Sequence, residues 1–154
     1  MNAAPLNILL ADDDKDDRFF FNLALEALSI PTKLVTVVDG EKLMDYLNEN
    51  SHQLPYVLFL DHNMPRKNGA ECLTEIKLNP NLKSLPVVIY STSLRNEIAD
   101  VFFENGAHYY VKKCDFDQLQ KIITHVLALL AENQNRPTRE NFILSVQKDQ
   151  PQNL

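Results

Sequence analysis

Three acidic residues of the sequence stand at the ends of apolar segments. Asp12 and Asp13 follow LNILLA, and Asp61 follows YVLFL. Desolvation disfavours a carboxylate beside a buried strand, so these positions need a chemical explanation. Two charges about 4 Å apart repel by roughly 4 kcal/mol at an effective dielectric of 20, so acids that share a cleft need a proton or a cation between them. Oxygen ligation by a few carboxylates favours Mg²⁺ among the divalent ions.

A hydroxyl and an ammonium end two further apolar segments. Ser91 and Thr92 follow PVVIY, and Lys112 and Lys113 follow HYYV. A metal and a lysine in one cleft neutralise the oxygens of a phosphoryl group. A carboxylate that meets a phosphoryl donor in such a cleft is a nucleophile and forms an aspartyl phosphate. Asp61 stands alone after its strand, while the other two acids are free to bind metal, so we predict Asp61 as the nucleophile.

Strand-like and helix-like segments alternate five times along the chain. Each parallel pair of strands needs a crossover helix, so the alternation predicts an α/β domain with a doubly wound, five-stranded parallel sheet flanked by five helices. The runs NILLA, YVLFL and PVVIY are continuously apolar, as in strands covered on both faces. Parallel strands end at one edge of the sheet, where ligands bind, so we expect the acids, the hydroxyl and the ammonium to converge there.

Composition narrows the classes of function. A length of 154 residues is most simply one domain, and a formal net charge of -6 argues against nucleic acid as a partner. No apolar stretch is long enough for a membrane span and the first residues do not resemble a signal peptide, so a cytoplasmic location is the default expectation. Two cysteines, Cys72 and Cys114, are too few for a disulfide framework. Without a GK[ST] motif we expect no bound nucleotide.

In their order and spacing, these motifs resemble the receiver domain of two-component response regulators, of the CheY-like type. The resemblance rests on ILLADD, on LFLDHNMPRKNG with a glycine eight residues after Asp61, on PVVIYSTS and on GAHYYVKK. It covers roughly residues 5–131 and implies the strand order 2-1-3-4-5. The connection IKLNPNLKSLPVV and the long loop before the third strand are most similar to receivers associated with bacterial phytochrome kinases.

The resemblance implies a role for each site residue. Asp61 would carry the phosphoryl group. Asp13 and Asp61 would bind Mg²⁺ through their side chains and Asn63 through its backbone carbonyl, whereas Asp12 would act mostly through water. His62, next to the phosphoacceptor, is predicted to be structural and to point away from it.

Three residues on the last two strands complete the implied site. Ser91 would hydrogen-bond a phosphoryl oxygen, and Lys113 would pair with another, with Lys112 as the competing assignment. Tyr110 would change rotamer with the state of Ser91. Since successive strand residues point to opposite faces, we expect one of Tyr109 and Tyr110 to point into the structure and the other outward.

Cys114 departs from the family pattern, which has a proline after the lysine and usually a cis peptide before it. A cis bond before a residue other than proline costs about 2.5–4 kcal/mol. The Lys113–Cys114 bond is therefore either trans with a rebuilt loop or cis at that cost.

The function implied by the resemblance is that of a stand-alone response regulator, not an enzyme with a separate substrate. It would accept a phosphoryl group from a sensor histidine kinase or a phosphotransfer protein and would switch its contacts with a downstream protein. One alternative is an aspartyl-phosphate hydrolase of the haloacid-dehalogenase kind, although Asn63 stands where that family has its acid. Another is a receiver-like interaction module that is not phosphorylated.

The same reasoning predicts how the chain is organised. We expect a receiver domain over residues 1–131 and a tail over residues 132–154. The tail is expected to be partly flexible, or to pack on the domain or on a neighbouring subunit. A homodimer through the face of the fourth helix and fifth strand is a further expectation, by analogy.

Overall fold

The computed structural model describes residues 4–93 and 95–145. Its six strands form one sheet in the order β2-β1-β3-β4-β5-β6, and every neighbouring pair is parallel. The strands are β1 (Leu6–Ala11), β2 (Thr32–Val37), β3 (Val57–Leu60), β4 (Val87–Ser91), β5 (Tyr109–Lys112) and β6 (Ile143–Leu144). The helices are α1 (Lys15–Glu26), α2 (Gly40–Glu49), α3 (Gly69–Leu78), α4 (Asn96–Glu104) and α5 (Phe116–Glu132), and a 3-10 turn spans Arg139–Asn141. The predicted five-stranded order and the five helices are confirmed, and β6 is an addition to them.

Two separate cores cover the two faces of the sheet. Alternate residues of β1 divide between them, since Leu9 packs in one core and Ile8 in the other. The first core contains residues of α2, α3 and α4, and the second contains residues of α1 and α5. Strands β3 and β4 are buried at every position, which explains their uninterrupted apolar sequence.

The two tyrosines of β5 do point to opposite faces, yet neither points outward. Tyr109 lies in the core beside α5 and is 5% exposed, whereas Tyr110 lies in the opposite core and is fully buried. The expectation of one outward side chain was wrong because both faces of β5 are covered. Helices α1 and α5 cover the face of Tyr109, and α4 with the C-terminal residues covers the face of Tyr110. Strand alternation gives the face of a residue but does not say what covers that face.

Residues 136–145, here called the C-terminal segment, continue the sheet past β5. The Tyr110 backbone N–H donates to the Phe142 carbonyl over 3.0 Å, and Tyr110 and Val111 pair with Ile143 and Leu144. Phe142 is fully buried, with its ring 6.4 Å from that of Tyr110 and 5.3 Å from that of Phe103 on α4. The segment therefore fills a hydrophobic groove between β5 and α4.

Two arginines attach the C-terminal segment to α4 and the following turn. The Arg136 guanidinium lies 4.4 Å from the centre of the Phe103 ring, and its Nε donates to the Ala107 carbonyl over 3.0 Å. Arg139 donates to Asp100 over 2.6 Å. These polar contacts are largely exposed, so most of the stabilisation comes from the burial of Phe142.

Within residues 4–93 and 95–145 no peptide bond is cis, so Lys113–Cys114 is trans. The Lys113 N–H donates to the Ser91 carbonyl over 2.7 Å and extends the pairing of β4 with β5 by one residue. The trans alternative is therefore the observed one. In the same described part of the chain, no helix is long and apolar enough to cross a membrane.

Candidate phosphoacceptor site

The backbone brings Asp12 and Asp61 side by side. Each comes directly after its strand, and β1 and β3 are neighbours with Ala11 opposite Leu60. The Asp61 N–H donates to the Ala11 carbonyl over 2.9 Å. The Asp12 N–H donates to the Val37 carbonyl over 3.1 Å, which also ties the first acid to β2. The two carboxylates thus start from fixed points at the carboxyl edge of the sheet.

The three predicted acids form one cluster. Each of Asp12, Asp13 and Asp61 offers a carboxylate oxygen that lies within 4.8 Å of the other two. Asp12 and Asp61 are buried, whereas Asp13 is exposed and opens the cluster to solvent. An all-carboxylate set open on one side suits a hard divalent cation that keeps some of its waters. The residues present therefore fit a divalent metal site.

Burial sets the charge state of this cluster. Desolvation raises the pKa of Asp61 to about 7, with Lys113 opposing the rise and Asp12 adding to it. Desolvation likewise raises the pKa of Asp12, against hydrogen bonds from Lys113 and from the Asp14 backbone. The protein alone thus leaves these carboxylates only partly stabilised as anions, and a bound cation would remove the deficit.

Lys113, not Lys112, lies beside the acids. Its Nζ is 2.8 Å from Asp12 Oδ2 and 3.6 Å from Asp61 Oδ2, and its side chain is 11% exposed. Desolvation opposes its charge, but the bonds to Asp12 and Asp17 prevail and raise the pKa of Lys113. Lys112 is exposed at the end of β5. The ammonium is therefore permanently charged and close to the predicted nucleophile.

Ser91 reaches the same edge of the sheet from β4. It is fully buried, and its Oγ has no hydrogen-bond partner among residues 4–93 and 95–145. A buried hydroxyl without a partner is unusual, because desolvation is then uncompensated. The next residue, Thr92, is exposed. Ser91 is thus the hydroxyl that can serve an incoming group at this edge.

Tyr110 and Asn63 occupy different places around the site. The Tyr110 hydroxyl donates to the Ser93 carbonyl in the loop after β4, and its ring lies 6.0 Å from that of Phe102 on α4. Asn63 is exposed in the loop after β3. A hydrogen bond with its backbone stabilises the Asp61 carboxylate and so opposes part of the rise in the Asp61 pKa. Tyr110 therefore touches the loop that follows Ser91 and not the acids themselves.

Gly69 holds the loop after β3 close to the phosphoacceptor strand. Its N–H donates to the His62 carbonyl over 2.9 Å. A Cβ atom at this position would lie 2.5 Å from the Asp61 carbonyl oxygen, which is far closer than packing allows. This close approach explains why the residue eight positions after Asp61 is a glycine.

His62 packs against α4. Its ring lies edge-on to Phe102 at 5.1 Å, and burial lowers its pKa. Its Nδ1 is buried and has no hydrogen-bond partner among the described residues. A neutral ring in an aromatic contact agrees with the structural role expected for it.

Sequence reasoning missed one residue of the site, Asp17. Its Oδ2 lies 2.7 Å from Lys113 Nζ, so the ammonium contacts a third carboxylate. Asp17 lies in the first turn of α1, three residues after the N-cap, and the start of that helix was the signal available for its position. Asp14 is the N-cap of this helix and accepts from the Asp16 and Asp17 N–H groups.

Fold and site together define the class of protein: a doubly wound α/β domain with an acidic divalent-metal cluster and a lysine at the carboxyl edge of its sheet. A family model of the response regulator receiver domain matches residues 8–124. The chain belongs to this family, and it is a two-component response regulator receiver.

Relatives support a narrower position within the family. The chain is 36% identical to response regulator Rcp1 of Synechocystis over 114 residues, which is 71% of this chain and 77% of Rcp1. The solved Mn²⁺-bound form of Rcp1 is 31% identical with a TM-score of 0.72, over 87% of this chain and 100% of Rcp1. The solved structure of the phosphorylated cyanobacterial phytochrome response regulator RcpA is 31% identical with a TM-score of 0.75. The match covers 88% of this chain and 100% of RcpA. The predicted resemblance to phytochrome-associated receivers is confirmed, and nothing in these matches favours a hydrolase.

Proposed function

We propose that Asp61 accepts a phosphoryl group from a phosphohistidine and that Mg²⁺ is the ion held by the acidic cluster. An Asp61 carboxylate oxygen attacks phosphorus, the bond from phosphorus to the histidine nitrogen breaks, and the electron pair of that bond goes to the imidazole. The observation that carries this proposal is the buried Asp61 carboxylate among two further acids within 4.8 Å, with an ammonium 3.6 Å away. A buried carboxylate contributes little to the stability of a fold. It is a good nucleophile once nearby cations offset its negative charge.

Each residue around Asp61 has a proposed task. Asp13 and Asp61 hold Mg²⁺ by their side chains, Asn63 by its carbonyl, and Asp12 mainly through water. The ion, when bound, neutralises phosphoryl oxygens and so lowers the repulsion between donor and acid. This set of ligands is supported by the clustering of the acids and by the chemistry of oxygen donors.

Lys113 and Ser91 are proposed to receive the phosphoryl oxygens. The ammonium of Lys113 supplies a fixed charge at the site, and the unpartnered Ser91 hydroxyl supplies a hydrogen-bond donor. Movement of Ser91 toward the phosphoryl group would change the loop at Ser93, to which Tyr110 is bonded. Tyr110 would then report the state of Asp61 to the groove that the C-terminal segment fills.

The partners we propose are proteins. A sensor histidine kinase or a phosphotransfer protein would donate the phosphoryl group, and a downstream protein, or a second copy of this chain, would respond to it. One solved structure similar to this chain is that of a phosphorylated cyanobacterial phytochrome response regulator, and this similarity favours a kinase of the phytochrome class as the donor. The chain would catalyse only its own phosphorylation and dephosphorylation. We propose the receiver as residues 1–131 and the tail as residues 132–154.

Mass spectrometry after incubation with Mg²⁺ and acetyl phosphate tests this function. We expect the wild-type protein to gain the mass of one phosphoryl group, located at Asp61, and to lose this gain when EDTA replaces Mg²⁺. Asp61→Asn should gain none, because an amide is not a nucleophile here. A wild-type protein without any gain, or an equal gain in Asp61→Asn, contradicts the proposal and favours an interaction module that is not phosphorylated.

A further inference from the structure

Lys113 is shared by three carboxylates, and Asp61 is the most distant of them. Its Nζ lies 2.7 Å from Asp17 Oδ2, 2.8 Å from Asp12 Oδ2 and 3.6 Å from Asp61 Oδ2. The contact with Asp17 has the geometry of a hydrogen bond. In the state described here, the ammonium therefore lies on the α1 side of the site and not on the phosphoacceptor.

The backbone of Asp17 is held by the cap of α1, and Asp17 is not one of the clustered metal-binding acids. Asp14 caps α1 by accepting from the Asp16 N–H over 2.8 Å and from the Asp17 N–H over 3.0 Å, which fixes the backbone at Asp17. The cluster of oxygens within 4.8 Å consists of Asp12, Asp13 and Asp61. The Asp17 side chain is 33% exposed and lies outside this cluster. Its contact with the site is therefore the ion pair with the Lys113 ammonium.

We propose that Asp17 is a positioning residue that competes with the phosphoryl group for the Lys113 ammonium. The inference rests on the proposed function of Asp61 and adds a residue to that site. A lysine ammonium has three donors, and Asp17 and Asp12 lie within hydrogen-bond distance of it, whereas Asp61 does not. A phosphoryl group on Asp61 adds three strong acceptor oxygens. To bind one of them the ammonium moves toward Asp61 and gives up its short contact with Asp17.

Beryllium fluoride with Mg²⁺ imitates the phosphoryl group on an aspartate, and its affinity measures this competition at equilibrium. Asp17→Asn frees the ammonium in the unmodified protein, so we expect it to bind beryllium fluoride tighter than wild type. The pair is partly exposed, and we therefore expect a gain of about fivefold. Fluorine NMR of the bound fluoride at a series of beryllium concentrations gives the dissociation constants.

Two variants separate competition from a general change in charge. Asp16→Asn removes the same charge from the same turn of α1, yet Asp16 is exposed and makes no ion pair with Lys113. We expect its affinity to stay within roughly twofold of wild type, since exposed charges act weakly at a distance. Asp17→Glu keeps a carboxylate that reaches the ammonium, and it should restore an affinity close to that of wild type.

Each outcome decides the proposal. A gain in Asp17→Asn that is absent in Asp16→Asn and in Asp17→Glu supports it. An affinity of Asp17→Asn equal to that of Asp16→Asn, or weaker than wild type, overturns the competition but leaves Asp61 as the phosphoacceptor. A wild-type protein that neither binds beryllium fluoride nor gains a phosphoryl group overturns both the proposed function and this inference.

Discussion

At the scale of single residues, the site is governed by the balance between burial and charge. Asp61 is 5% exposed and Asp12 is fully buried, so both lose the water that normally stabilises a carboxylate. Lys113 compensates part of this loss, and it is itself divided between Asp12, Asp17 and Asp61. The unmodified site therefore stores unfavourable electrostatic energy that a divalent ion would release.

This balance predicts a pH-dependent effect of Asp61→Asn on stability in EDTA. The pKa of Asp61 is about 7 in the folded chain against an ordinary value of 3.8, so the folded state favours the proton and wild type loses stability as pH rises between these values. Asparagine does not ionise. We expect the variant to be more stable than wild type at pH 8, by on the order of 2 kcal/mol, with a smaller difference at pH 5.

Urea unfolding at the two pH values measures this difference. Asp45→Asn is the control, because Asp45 is exposed on α2 and its replacement should leave the free energy of unfolding nearly unchanged at both. A variant less stable than wild type at pH 8 would mean that Lys113 stabilises the Asp61 carboxylate more than burial destabilises it.

At the scale of elements, the sequence predicted the strands with long apolar runs. It did not predict the two-residue strand β6 or the contact of Asp17 with Lys113. The strands before Asp12 and Asp61 were predictable because their buried residues, 8–11 in β1 and all of β3, form continuous apolar runs. Strand β6 has two residues and lies in a polar tail, so it has no period to detect. The pairing of Asp17 with Lys113 joins residues 96 positions apart, and it depends on side-chain directions that no motif encodes.

The C-terminal segment makes a testable contribution at this scale. Phe142 is fully buried between β5 and α4, and Phe142→Ala leaves a cavity there. We expect the free energy of unfolding to fall by about 3 kcal/mol, as for other buried phenylalanines. Chemical denaturation of the metal-free protein measures it.

Phe20→Ala is the matched control for Phe142→Ala. Phe20 lies on α1 with 52% of its surface exposed, so its removal should change stability by less than about 1 kcal/mol. Equal losses in the two variants would contradict the packing of the C-terminal segment on its own domain.

At the scale of the whole molecule, the acidic cluster links metal binding to folding. Its ligands come from the ends of β1 and β3, which are far apart in the sequence and adjacent in the central sheet. An unfolded chain cannot hold these oxygens together, so an ion that binds the folded state stabilises the entire domain. Most of this stabilisation should come from the buried Asp12 and Asp61, whose negative charges the rest of the protein only partly offsets.

We therefore expect Mg²⁺ to raise the melting temperature at pH 8. At ten times the dissociation constant, the stabilisation is about 1.4 kcal/mol. Asp13→Asn should abolish most of this shift, while its melting temperature in EDTA should change little because Asp13 is exposed. Asp45→Asn should keep the full shift. Differential scanning calorimetry with and without Mg²⁺ checks both, and an undiminished shift in Asp13→Asn would exclude this residue as a ligand.

The parallel direction of β6 sets the edge of the sheet at which the described part of the chain ends. Strand β6 ends at the same edge of the sheet as the acids, and Leu144 and Ser145 line a cavity of about 260 Å³ together with Lys113 and Cys114. A fluorophore attached at the exposed Ser145 would therefore lie next to the lysine that we propose to serve Asp61. Strand β1 begins at the opposite edge, at Leu6, so a fluorophore attached at the exposed Ala4 would lie away from the acidic cluster.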